Sequence, residues 1–74
     1  MLHDIILKEI LVYMHDPFIL CDRQGSEMIV DVNIDNNFIA DLLDCRVDHI
    51  FSEIRFGTSF IKIYIGPHTH KIFA

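Results

Sequence analysis

Apolar and polar residues alternate over two stretches of this chain, Glu27 to Ile34 and Ser59 to Ile65, and short turn signals separate nearly every apolar run. A period of two sends successive side chains to opposite faces of a strand, so the alternation commits most of the chain to a sheet with one buried face. In the first stretch Met28, Val30, Val32 and Ile34 face a core, while Ile29, Asp31 and Asn33 face away. In the second, Ile61, Ile63 and Ile65 point inward, leaving Phe60, Lys62 and Tyr64 outward. One segment breaks the period. Phe38, Ile39, Leu42 and Leu43 form a helical stripe, and Asp35-Asn36-Asn37 supplies the side-chain oxygens that cap a helix start, which predicts a helix over 36–44.

The remaining elements follow from punctuation. Pro17 fixes its own φ and makes His15-Asp16-Pro17 a turn. Phe18 to Cys21 is then a short strand, and Asp22-Arg23-Gln24-Gly25-Ser26 is a hairpin loop with Gly25 at the positive-φ position. Val47 to Phe56 reads as a strand with Ile50, Ile54 and Phe56 on one face, and Gly57-Thr58 turns the chain. Residues 68–74 are a tail, or a last short strand if Ile72 and Phe73 find a pocket. The segment Leu7 to Met14 fits helical spacing, yet Ile10-Leu11-Val12-Tyr13 fits a strand buried on both faces. The strand suits the meander that follows; the helix stays open. The expected fold is α+β: a small antiparallel sheet in the order β-β-β-α-β-β, with one short helix packed on one face, in a single domain of residues 1–74.

The run Glu9-Ile10-Leu11-Val12-Tyr13-Met14-His15-Asp16-Pro17-Phe18-Ile19-Leu20-Cys21-Asp22, with Gly25 and the strand after it, resembles the N-terminal hairpin of short uncharacterised bacterial and phage proteins. The resemblance covers residues 9–34. It implies an opening strand, a turn and a second strand, and it implies no activity.

At 51% hydrophobic residues and a mean hydropathy of +0.33, a chain of 74 residues has little interior in which to place its apolar side chains. Part of that surface is expected to be covered by a partner. Lys8, Glu9, His15 and Asp16 interrupt the apolar N-terminus, which is too broken to span a bilayer and lacks the basic start of a signal peptide. A cytoplasmic protein, of the producing or a host cell, is expected, and with it free thiols at Cys21 and Cys45.

The net charge of −5 is uneven: residues 1–48 carry −7 and residues 49–74 carry +2. Acidity of this kind repels phosphate backbones, so direct nucleic-acid binding is not expected, and a partner protein with a basic surface is. The helix sharpens this expectation. Asn37, Asp41 and Asp44 share its outer face and Asp48 continues the line, which places carboxylates at the negative end of the helix dipole. These four residues are the candidate partner-binding ridge. Ile29, Phe60 and Tyr64 are apolar yet outward-facing, and form the candidate self-association surface of a homodimer.

Catalysis and metal binding find weaker support. His68-Thr69-His70 would align two imidazoles on a strand, but a metal site needs a third ligand, and a solvated tail is the simpler reading. Asp48-His49 is an adjacent pair whose side chains diverge on a strand, and at His15-Asp16, which sits in a turn, Asp16 more simply makes an Asx-type bond ahead of Pro17. Three glycines leave no room for a phosphate-binding loop. The chain thus reads as a non-enzymatic binding protein without a cofactor. An inhibitor of a host defence protein, of the kind phages encode, is its concrete form, and a homo-oligomeric assembly subunit is the alternative.

Overall fold

The computed structural model of the chain describes residues 16–31 and 34–73. Its elements are β1 (Phe18–Cys21), β2 (Glu27–Val30), α1 (Asn36–Leu43), β3 (Arg46–Arg55) and β4 (Thr58–Gly66). The strand expected over residues 7–14, together with His3, His15, Val32 and Asn33, lies outside the described residues. The class is α+β: among the described residues, a four-stranded sheet with one short helix.

The strand order is β2-β1-β4-β3. β1 pairs antiparallel with β2, and β3 with β4, but β1 and β4 run parallel, with Phe18 opposite Ile61 and Leu20 opposite Ile63. This corrects the wholly antiparallel sheet read from sequence. α1 carries the chain from one edge of the sheet to the other, so β3 starts at the far edge. β4, turning back beside β3, fills the gap next to β1 and runs in the same direction as β1. Two central strands result, and β1 is buried at all four positions.

The turns form where local chemistry demands them. Asp22 Oδ1 accepts hydrogen bonds from the backbone N–H of Gln24 (3.0 Å) and Ser26 (2.7 Å), folding the β1–β2 loop around Gly25 at φ 93°. Asp35 caps α1 through Oδ1, which accepts from the N–H of Phe38 at 2.8 Å. The helix ends at Leu43, with Asp44 as its C-cap rather than its last residue. Phe56 (φ 56°) and Gly57 (φ 77°) form the centre of the β3–β4 turn, one residue earlier than expected. Two consecutive positive φ values make it a type I′ turn, whose twist matches that of the strands it joins.

Leu42 is the buried residue of α1 and packs into a cluster with Phe18, Leu20, Val30, Cys45, Val47, Ile63, Ile65 and Ile72. Met28, Ile34, Phe38, Leu43 and Phe73 pack around its margin. Ile72 and Phe73 therefore do find the core, but from a turn in which both N–H groups donate to the Thr69 carbonyl, not from a strand. The two cysteines are free and buried. They lie on opposite sides of the sheet: Cys45 in the cluster, Cys21 on the face it shares with its neighbours Glu27 and Tyr64.

The cluster occupies only one end of the sheet. Ile63 and Ile65 are fully buried, whereas Ile61 and Ile50, on the same face, are each 37% exposed and Ile54 is 78% exposed. Ile61 was expected to point inward; it has the right face, but the eight-residue helix does not reach it.

Candidate interaction surfaces

Three regions carry chemistry. The first is the sheet face opposite the helix, where a compact ion network replaces an apolar layer. Lys62 Nζ lies 2.8 Å from Glu27 Oε2 and 3.5 Å from Glu53 Oε1. Arg55 grips the same two carboxylates, at 2.8 Å to Glu27 Oε1 and 2.5 Å to Glu53 Oε2. Register accounts for this convergence. Glu27 is opposite Cys21 on β1, Lys62 is opposite Phe51 on β3, and Glu53 and Arg55 follow on the same side of β3.

Lys62 was expected to point outward and does leave the helix side, yet it is only 7% exposed. Its ammonium sits 5.3 Å from the Tyr64 ring centre and 5.8 Å from that of Phe51, whose rings stack on each other at 5.6 Å. The Arg55 guanidinium, and after it the Lys62 ammonium, hold the Glu27 carboxyl down to about 2. Lys62 is raised above the ordinary lysine range by Glu27 and then by the Tyr64 hydroxyl, and Arg55 is raised chiefly by Glu27. Burial pushes the Cys21 thiol up, and its Sγ lies 3.7 Å from Glu27 Oε2. A thiol held protonated in this way is a poor nucleophile.

The second region is the helix face and the neighbouring end of the sheet. Asn37 and Asp44 are exposed and Asp41 is half-buried. Asp44 Oδ2 is 3.9 Å from His68 Nδ1, which also lies 3.4 Å from the Asp44 carbonyl. Asp48 stands apart from the helix, on β3, where Arg23 holds it in a bidentate pair at 2.9 and 3.1 Å. The Arg23 side chain crosses Gly66, where an added Cβ would oblige it to shift. Asp22, Arg23, Arg46, Asp48, His49 and Tyr64 line an open concavity of about 710 Å³ beside this pair. His68 and His70 sit in or before the final turn, not on a strand, and Cys45 Sγ donates to the carbonyls of Asp41 and His68, each at 3.5 Å. Among the described residues, no group of three or more histidines, cysteines and carboxylates is gathered at metal-binding range.

The third region is the outer half of the β3–β4 hairpin, which sequence reasoning missed as a unit. Ile50, Ile54 and Ile61 are exposed on the helix side, Phe51 is 45% exposed on the other, and Phe56 at the turn is 89% exposed. The signal was present in the sequence: Ile50 and Ile54 share one face of the strand, Phe56 follows at its end, and the predicted helix is too short to cover a ten-residue ribbon. Of the candidate self-association residues, Ile29 is 56% exposed. Phe60 and Tyr64 are half-buried, Tyr64 by its stacking on Phe51 and an edge contact with His49 at 6.1 Å. All three lie on the sheet face of the ion network.

No family model, no curated protein and no solved structure matches the chain. Among the described residues no helix is long and apolar enough to cross a membrane.

Proposed function

We propose that this chain is a non-enzymatic protein-binding module whose contact surface is the outer half of the β3–β4 hairpin. The observation that carries this reading is Phe56. It occupies a left-handed position that costs a bulky side chain on the order of 1–2 kcal/mol and that asparagine or glycine fills at little cost. At 89% exposure its ring recovers almost none of that cost among the described residues. Strain of this kind at a solvent-facing aromatic is accounted for by a contact made outside the fold. Ile54, beside it, extends the apolar surface.

A second reading has its own support. The last turn of α1 holds no basic residue, while Asp41 and Asp44 stand at its negative end. In that reading Asn37, Asp41, Asp44 and Asp48 meet a basic protein surface, and inhibition of a host defence protein is the concrete form. One capture experiment from lysate separates the two, using the immobilised full chain. Ile54→Lys with Phe56→Lys should abolish capture, and Asp41→Lys with Asp44→Lys should leave it intact, with the fold checked by circular dichroism. The reverse pattern selects the ridge, and capture unchanged by either pair sinks both readings.

A further inference from the structure

Among the described residues β3 is the longest strand, and nothing there pairs with its outer edge. Edge strands are ordinarily blunted by proline, by lysine, by shortness or by bulges. From His49 to Arg55, β3 has no proline, no lysine and no irregularity; its one register shift falls between Val47 and His49. Its two charged residues in that stretch, Glu53 and Arg55, fold inward onto Glu27 and Lys62 and leave the edge unguarded.

Resting on the reading of this hairpin as a contact surface, we infer that its partner is a second copy of the same chain, paired antiparallel along β3 about a two-fold axis at Ser52. The type I′ turn fixes which backbone groups are free. Arg55 and Thr58 flank the two-residue loop and share the turn's hydrogen bonds, so Arg55, Glu53, Phe51 and His49 bond inward to β4. Ile50, Ser52 and Ile54 therefore present their N–H and C=O groups outward. These three residues share one side of the sheet, the side on which Ile50 and Ile54 stand exposed.

A two-fold axis normal to the sheet pairs residues whose numbers have a constant sum, and side-chain chemistry selects among the possible sums. With Ser52 on the axis, Ile50 meets Ile54 of the second copy twice, Phe51 meets Glu53, and the whole pairing falls within the regular stretch 49–55. No acidic side chain faces another, and Ile61, beside Ser52, closes the gap between the isoleucine pairs. An axis at Phe51 would run into the irregularity and set Asp48 against Ile54, and an axis at Ile50 would set Arg46 against Ile54. Only the axis at Ser52 sets both Ile50 and Ile54 against an isoleucine of the second copy. It makes one eight-stranded sheet of two four-stranded ones and assigns self-contact to the edge rather than to Ile29, Phe60 and Tyr64.

The full chain in sedimentation equilibrium at tens of micromolar should show twice its 8.7 kDa mass, and Ile54→Lys should halve that mass with unchanged circular dichroism. Ser52→Cys should form an intermolecular disulfide on mild oxidation. Opposed residues of this type lie about 5.5 Å apart, within the span of a disulfide, and the buried native thiols make the wild type the control. A monomeric wild type overturns the inference, as does a dimer that crosslinks through Ile50→Cys or Phe51→Cys but not Ser52→Cys. Loss of capture in the hairpin variant of a monomeric wild type would leave the hairpin reading standing and remove only the second copy. A dimer crosslinked at Ser52 would support the inference even where capture from lysate fails.

Discussion

Ile63 and Ile65 lie beneath α1 and see no solvent, while Ile50, Ile54 and Ile61, on the same face of the same ribbon, stand 37–78% exposed. The residues and the backbone are alike at both ends; only the cover differs. Leu42 and Cys45, at the end of the helix and just past it, seal one end, and among the described residues nothing of the kind covers the other. An isoleucine at a core-facing strand position thus records only which face it belongs to. Whether it stabilises the monomer depends on how far the covering element reaches.

The largest effect that would sharpen this contrast is at the sealed end. Leu42→Ala should cost about 2–5 kcal/mol in urea denaturation, whereas Ile54→Ala should fall within about 0.5 kcal/mol in the monomer. Equal losses would break the comparison, because they would require Ile54 to be packed. Next in size, Phe56→Asn should stabilise the fold by about 1 kcal/mol, since asparagine tolerates the left-handed turn position, and should weaken capture of the partner at the same time. A variant more stable and equally competent in capture would detach Phe56 from function.

The smallest effect concerns the opposite face of the sheet. The folded pKa of Glu27 lies at about 2, below its ordinary 4.5, so its pairing stabilises the fold above pH 4.5 and that stabilisation fades as pH falls toward 2. Its side chain is 35% exposed, and solvent screening keeps the contribution modest. Urea midpoints measured across that window should decline less steeply in Glu27→Gln than in the wild type, and parallel declines would mean the network is not coupled to folding.

Local chemistry made much of this legible in the sequence. Asp22 and Gly25 announced the hairpin, Asp35 the helix start, and the alternation along β4 its two faces, because each depends on residues a few positions apart. The parallel pairing of β1 with β4 had no such signal, since β1 is too short and too buried to display a direction. The ion pairs were hidden for the same reason: Arg23 with Asp48 and Arg55 with Glu27 join residues 25 and 28 positions apart. Lys62 was assigned to the correct face but expected in solvent. It is enclosed because Phe51, on the neighbouring strand, arrives opposite it and Tyr64 stacks there. The proposed ridge was read from helical spacing alone, which could not foresee that Asp48 would be held by an arginine from the first hairpin.

The parallel neighbour of β1 has a consequence for how the chain is made. Phe18 to Cys21, the most thoroughly buried strand, meets its partner on β4 only after roughly forty further residues have been synthesised. Until then a ribosome holds out an apolar β-hairpin with one side unmatched, and α1 has nothing complete to settle on. The described interior is therefore closed by β4 and the turn that follows it, so a stall or a cut before residue 58 would leave not a smaller domain but an exposed, adhesive strand.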